Sequence, residues 1–69
     1  MRYIDILQYK EEFFPHRYTF FDDKHKVSVP AEELFKYQQG ELIQNAMVSV
    51  SVDDREWLLT GMYDEKGDQ

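Results

Sequence analysis

Four kinds of side chain in this sequence could do chemistry: two histidines, several pairs of adjacent acids, a few serines and a surplus of aromatic rings. His16 and His25 stand at either end of one short aromatic run, with Asp22 and Asp23 between them. An imidazole–carboxylate set of this kind suits zinc or nickel. The spacing matches no ligand pattern, and residues at opposite ends of a strand do not converge, so solvated histidines near turns are expected and no metal. The acid pairs Glu11-Glu12, Asp22-Asp23, Glu32-Glu33 and Asp53-Asp54 could serve as acid and base in glycoside cleavage. That needs a deep cleft, which 69 residues hardly build, and acids at helix starts have an ordinary role in capping and dipole complementarity. Ser28, Ser49 and Ser51 have no histidine suggestively placed, there is no glycine-rich phosphate loop, and there is no cysteine to act as nucleophile, thiolate ligand or disulfide. A non-catalytic chain without cofactor is expected.

The charge is unevenly placed. Fourteen acids against eight bases give −6, and residues 1–30 are neutral, with five of each sign, so all of the excess falls in residues 31–69. Rings lean the other way: seven of the eleven aromatic residues precede residue 31. An acidic chain is a poor neutraliser of phosphates, so direct nucleic-acid binding is not expected. Its weak form would use Arg17, Lys24 and Lys26 with Tyr18 and Phe20 stacking on bases. The acids can instead imitate phosphates toward a basic channel. Glu32, Glu33, Glu41, Asp53, Asp54 and Glu56 are the candidate partner-binding residues of such a DNA mimic, continued by Asp64 and Glu65. Phe13, Phe14, Tyr18 and Phe20 are the candidate aromatic interface, toward a partner or a second copy.

The elements that must position these groups read as α+β: a β-hairpin followed by three short helices, with an N-terminal helix or strand packed across them. Leu, Ile, Val and Phe make up 18 residues, enough for a core. Residues 17–29 form the hairpin, with Asp22-Asp23-Lys24-His25 as its turn. Pro30 stops the second strand and opens a helix, whose apolar positions are Ala31, Leu34 and Phe35 and whose end is Gly40. A second helix runs from Glu41 to Met47. A third begins near Asp53, capped through Asp53 and Glu56 or, in a competing frame, through Ser51 and Asp54, and closes at Gly61. Residues 47–52 alternate with strand period between two helices, as an extended link or an edge strand. Residues 3–9 fit either a helix or a strand, and the helix, ending before Pro15, is favoured. One domain covers residues 1–63, and residues 64–69 form a polar, disordered tail with nothing to bury. No apolar run approaches a membrane span, and Asp5 interrupts any leader, so a cytoplasmic protein is expected.

Three stretches carry a resemblance: Val29-Pro30, then Tyr37-Gln38-Gln39-Gly40-Glu41-Leu42-Ile43-Gln44-Asn45-Ala46-Met47, then Asp53-Asp54-Arg55-Glu56-Trp57-Leu58-Leu59-Thr60-Gly61. Over residues 27–62 the order and spacing resemble a family of small, mostly uncharacterised proteins of bacteriophages and prophages. Many relatives bear cysteine pairs, as in a small zinc unit, where this chain has Phe20-Phe21-Asp22-Asp23 and Met62-Tyr63-Asp64-Glu65. The resemblance implies a zinc-free form in which residues 1–15 supply the missing stabilisation. It also implies a phage accessory protein in the host cytoplasm that binds a host or phage protein. The acidic surface would make it an inhibitor of a defence or nucleic-acid-processing machine, of anti-CRISPR or anti-restriction type. The alternative is a structural homodimeric interaction module with no inhibitory role.

Overall fold

The computed structural model describes residues 2–62, and the tail expected at 64–69 lies outside them. A 3₁₀ turn (Tyr3–Asp5) leads into a three-stranded antiparallel sheet, β1 (Gln8–Phe13), β2 (His16–Phe21) and β3 (Lys26–Pro30), in the order β1-β2-β3. Three helices follow: α1 (Ala31–Gln38), α2 (Ile43–Ala46) and α3 (Val52–Thr60). The α+β expectation holds, and the hairpin of residues 17–29 is β2 and β3.

The N-terminal helix does not form. Residues 8–13 extend instead and pair with β2 from Gln8 opposite Phe21 to Phe13 opposite His16, turning through the cis Phe14–Pro15 bond. Every residue of β1 is exposed. What holds this strand is the ladder to β2 and contacts between rings along it, not a buried face.

Alternation divides the sheet into two faces. Phe20, Val27 and Val29 point into the core with α1 packed over β2 and β3, while Arg17, Thr19, Phe21, Lys26 and Ser28 take the other face. The core is completed by Ile4, Leu34, Tyr37, Ala46, Met47, Val50, Trp57 and Leu58. In α1 the buried residues are Leu34 and Tyr37, whereas Phe35, which the spacing assigns to the core, is 60% exposed. The Arg2 guanidinium lies 4.9 Å above the Tyr37 ring.

Residues 47–50 form a turn, not a strand. Met47 and Val50 are buried three positions apart, Val50 N–H donates to the Met47 carbonyl (3.2 Å), and Val48 and Val52 face solvent. Of the two capping frames for α3, the Ser51 frame is the one formed: its hydroxyl accepts from the Asp54 N–H at 3.2 Å, and the helix starts at Val52.

Gly61 ends α3 at φ +79°, and a Cβ there would meet the Tyr3 ring at 3.1–3.3 Å. Gly40, at φ +107°, has nothing within 4 Å. Left-handed backbone costs an L-residue roughly 1–2 kcal/mol. Gly61→Ala adds a tight contact in which the Tyr3 ring, held by Asp22 and Trp57, must give by a few tenths of an ångström, and Gly40→Ala does not. Thermal melts should therefore show the larger loss for Gly61→Ala, and equal losses would contradict the close approach of Tyr3.

Candidate functional site

Two surfaces bring polar and aromatic groups together. The first is the β2–β3 turn. Asp22 closes it by accepting at Oδ1 from the Lys24 and His25 N–H groups, both at 2.8 Å, and at Oδ2 from the Tyr3 hydroxyl at 2.8 Å. The His25 imidazole lies edge-on to Trp57 (4.9 Å between centroids), with Nε2 3.1 Å from Asp54 Oδ1. Tyr3 meets Trp57 at 5.5 Å, also edge to face. The arrangement bolts the turn to the N-terminal segment and to α3.

Its electrostatics follow from those bonds. The Lys24 N–H, then the Tyr3 hydroxyl, hold the Asp22 carboxyl below its ordinary value, against some opposing desolvation. Accepting in this way, Asp22 in turn raises the Tyr3 hydroxyl. A depressed carboxyl stabilises the fold above its unfolded pKa of about 4, and that stability is lost as pH falls through the lower folded value. For Tyr3 the sign reverses: its contribution is present below about pH 10 and lost as pH rises through the raised value. Melting temperature should drop on acidification below about pH 4. Asp22→Asn should flatten that acid limb, and an unchanged limb would remove Asp22 from its cause.

The second surface is a groove of about 830 Å³ between the core-side face of the β1–β2 ladder and α1. Tyr9, His16, Tyr18 and Phe20 line the sheet wall, with Leu34, Phe35, Tyr37 and Glu32 from the helix and Arg2, Asp5 and Leu7 at the N-terminal side. Rings run along the sheet wall: Tyr9 to Phe20 at 5.6 Å, Tyr9 to Tyr18 at 5.7 Å, Tyr18 to His16 at 5.4 Å and His16 to Phe13 at 6.1 Å. Glu11 fastens two of them, accepting from the Tyr18 hydroxyl at 3.2 Å and lying 2.9 Å from His16 Nε2. Partial burial, then this bond to Glu11, raises the Tyr18 hydroxyl above its usual range. Tyr37 is itself buried, and its hydroxyl has no hydrogen-bond partner among the described residues; burial raises its pKa.

The residues singled out from sequence fall into distinct places. Phe13 (78% exposed) and Phe14 (97%) stand at the β1–β2 turn, and Tyr18 sits half-buried in the groove wall. Phe20 is 6% exposed and belongs to the core, because its partner across the ladder is the buried Val27. Packed inward, it is not an exposed interface ring. Of the acids, Glu32, Glu41, Asp53 and Glu56 are exposed. Glu33 accepts from the Ser49 hydroxyl (2.9 Å) and N–H (3.3 Å), and Asp54 is tied to His25, so both are committed within the fold. Asp64 and Glu65 lie outside the described residues. His16 and His25 stay at opposite ends of β2 on different acids, and among the described residues no three metal-ligating side chains converge. The cation-and-ring arrangement for nucleic acid does not assemble either, since Arg17 and Lys26 lie on the face of the sheet opposite Tyr18 and Phe20.

Sequence reasoning missed Tyr9, Phe35 and Glu32 as parts of one groove. The available signal was the ring surplus itself, which placed more aromatic area before residue 31 than a small core holds. Comparison with known proteins returns no matching family model, no similar curated protein and no similar solved structure. Among the described residues no helix is long and apolar enough to cross a membrane.

Proposed function

We propose that this chain is a non-catalytic binding protein that seats a basic segment of another protein in the groove between the β1–β2 ladder and α1. The observation that carries the reading is the pairing of exposed rings with carboxylates along one cleft. Tyr9 (57% exposed) and Phe35 (60% exposed) flank it, with the Glu32 carboxylate, free among the described residues, on its margin and Asp5, 3.7 Å from Arg2 Nε, at its N-terminal side. Apolar stems of arginine or lysine lie well on such rings while the charged heads meet the acids. The exposed carboxylates Glu41, Asp53 and Glu56 add long-range attraction of the same sign. A partner with a basic nucleic-acid-binding surface fits that field. Occupying such a surface, as an inhibitor of a defence or nucleic-acid-processing machine in the cytoplasm of a phage-infected cell, is the cellular form of the proposal.

An alternating arginine–leucine peptide titrated into the isotope-labelled protein tests it, with a glutamate–leucine peptide as control. Amide shifts should cluster at Leu7, Tyr9, Tyr18 and Phe35, for the basic peptide alone. Phe35→Ala should weaken binding about tenfold, the loss of an aromatic anchor. Glu32→Lys should weaken it and reduce its salt dependence. Shifts confined to α3, or equal binding of both peptides, would overturn the groove as the site.

A further inference from the structure

We propose that the outer edge of β1 is a self-association surface, on which β1 of a second copy pairs antiparallel about a two-fold axis passing beside Glu11. Among the described residues nothing pairs with this edge: β1 is the end strand of the sheet, and all six of its residues are exposed. An exposed edge of this length offers a row of unpaired N–H and C=O groups to another strand. The opposite edge is less suitable, because β3 ends in Pro30, which has no N–H to donate.

The choice of a second copy over any other strand comes from the charges. The strand reads Gln8-Tyr9-Lys10-Glu11-Glu12-Phe13. In a symmetric antiparallel pair, opposed residues share a face, so the register must centre on a residue. Centred on Lys10 it opposes lysine to lysine, and centred on Glu12 it opposes glutamate to glutamate. Centred on Glu11, Lys10 of each copy meets Glu12 of the other on one face, and Tyr9 meets Phe13 on the groove face. Cross-strand pairs of opposite charge and of two rings are the favourable kinds. The remaining opposition, Glu11 to Glu11, involves a carboxylate already held in each copy by the Tyr18 hydroxyl and His16. The sheet becomes six-stranded, and Phe13 of the second copy arrives beside Tyr9 at the mouth of the groove.

This stands apart from the groove reading, since Lys10 and Glu12 point to the opposite face and either proposal can fail alone. The test is sedimentation equilibrium of the full chain and three variants. The native chain should show a concentration-dependent dimer. Lys10→Glu and Glu12→Lys each place two like-charged pairs across the junction and should weaken the dimer at least about tenfold. Mixing those two variants restores both opposite-charge pairs, so the equimolar mixture should dimerise as the native chain does. The doubly exchanged Lys10→Glu/Glu12→Lys chain should do so alone. A native chain that stays monomeric, a dimer indifferent to either single exchange, or a mixture and double exchange that both remain monomeric would each overturn the proposal.

Discussion

Trp57→Ala is expected to leave the chain largely unfolded at room temperature. The indole is 2% exposed and is the largest fully buried side chain. It also carries two edge-to-face contacts, Tyr3 at 5.5 Å and His25 at 4.9 Å. Truncating a buried aromatic to alanine costs about 3–5 kcal/mol. A domain of this size has, at roughly 0.05–0.15 kcal/mol per residue, only about 3–10 kcal/mol to lose. The change also releases the three parts that the indole joins: the N-terminal turn, the β2–β3 turn through His25, and α3. Far-UV circular dichroism and denaturant titration check this. Trp57→Phe keeps a ring between the same neighbours and should be intermediate. A cooperative melt of Trp57→Ala close to that of the native chain would contradict the packing.

Phe20→Ala and Phe14→Ala should differ by most of the stability of the protein, although both are phenylalanines of the same hairpin. Phe20 sits among Val27, Tyr9 and the α1 side of the core at 6% exposure, and its loss should cost about 3–5 kcal/mol. Phe14, 97% exposed at the β1–β2 turn, should cost within about 0.5 kcal/mol, as surface changes usually do. Denaturant midpoints of the two variants decide the matter. Any effect of Phe14→Ala belongs in binding or association, where stability measurements on dilute protein do not register it.

These two residues also mark how far the sequence could be read. Period and turn chemistry sufficed where a buried face met a clear stop, as at Lys26–Pro30 followed by α1, and at Gly61. They failed where structure depends on something distant. β1 has no buried residue and exists through its ladder to β2, so no periodic signal announces it. Residues 48–52 alternate apolar and polar, yet Met47 and Val50 are the pair that is buried, because the short α2 hands the chain into a turn. In α1 the choice between Phe35 and Tyr37 as the inward ring is a rotation set by the packing of α1 on β2 and β3. The groove was illegible for the same reason: its walls, Tyr9 on β1 and Phe35 on α1, line one cleft only once β1 has paired with β2 and α1 has packed on β2 and β3.

The contact of Gly61 and Trp57 with Tyr3 bears on how the protein is made. Groups about fifty residues apart in the chain close the same core, and contacts of such separation form late. On a ribosome adding roughly 5–20 residues per second, the β-sheet emerges seconds before the indole that completes the interior. Until then the nascent chain carries Ile4, Phe20, Val27 and Val29 without their cover. Stalled chains ending before Trp57 should thus be cut readily by added protease and bound by chaperones, and chains with α3 clear of the exit tunnel should resist both.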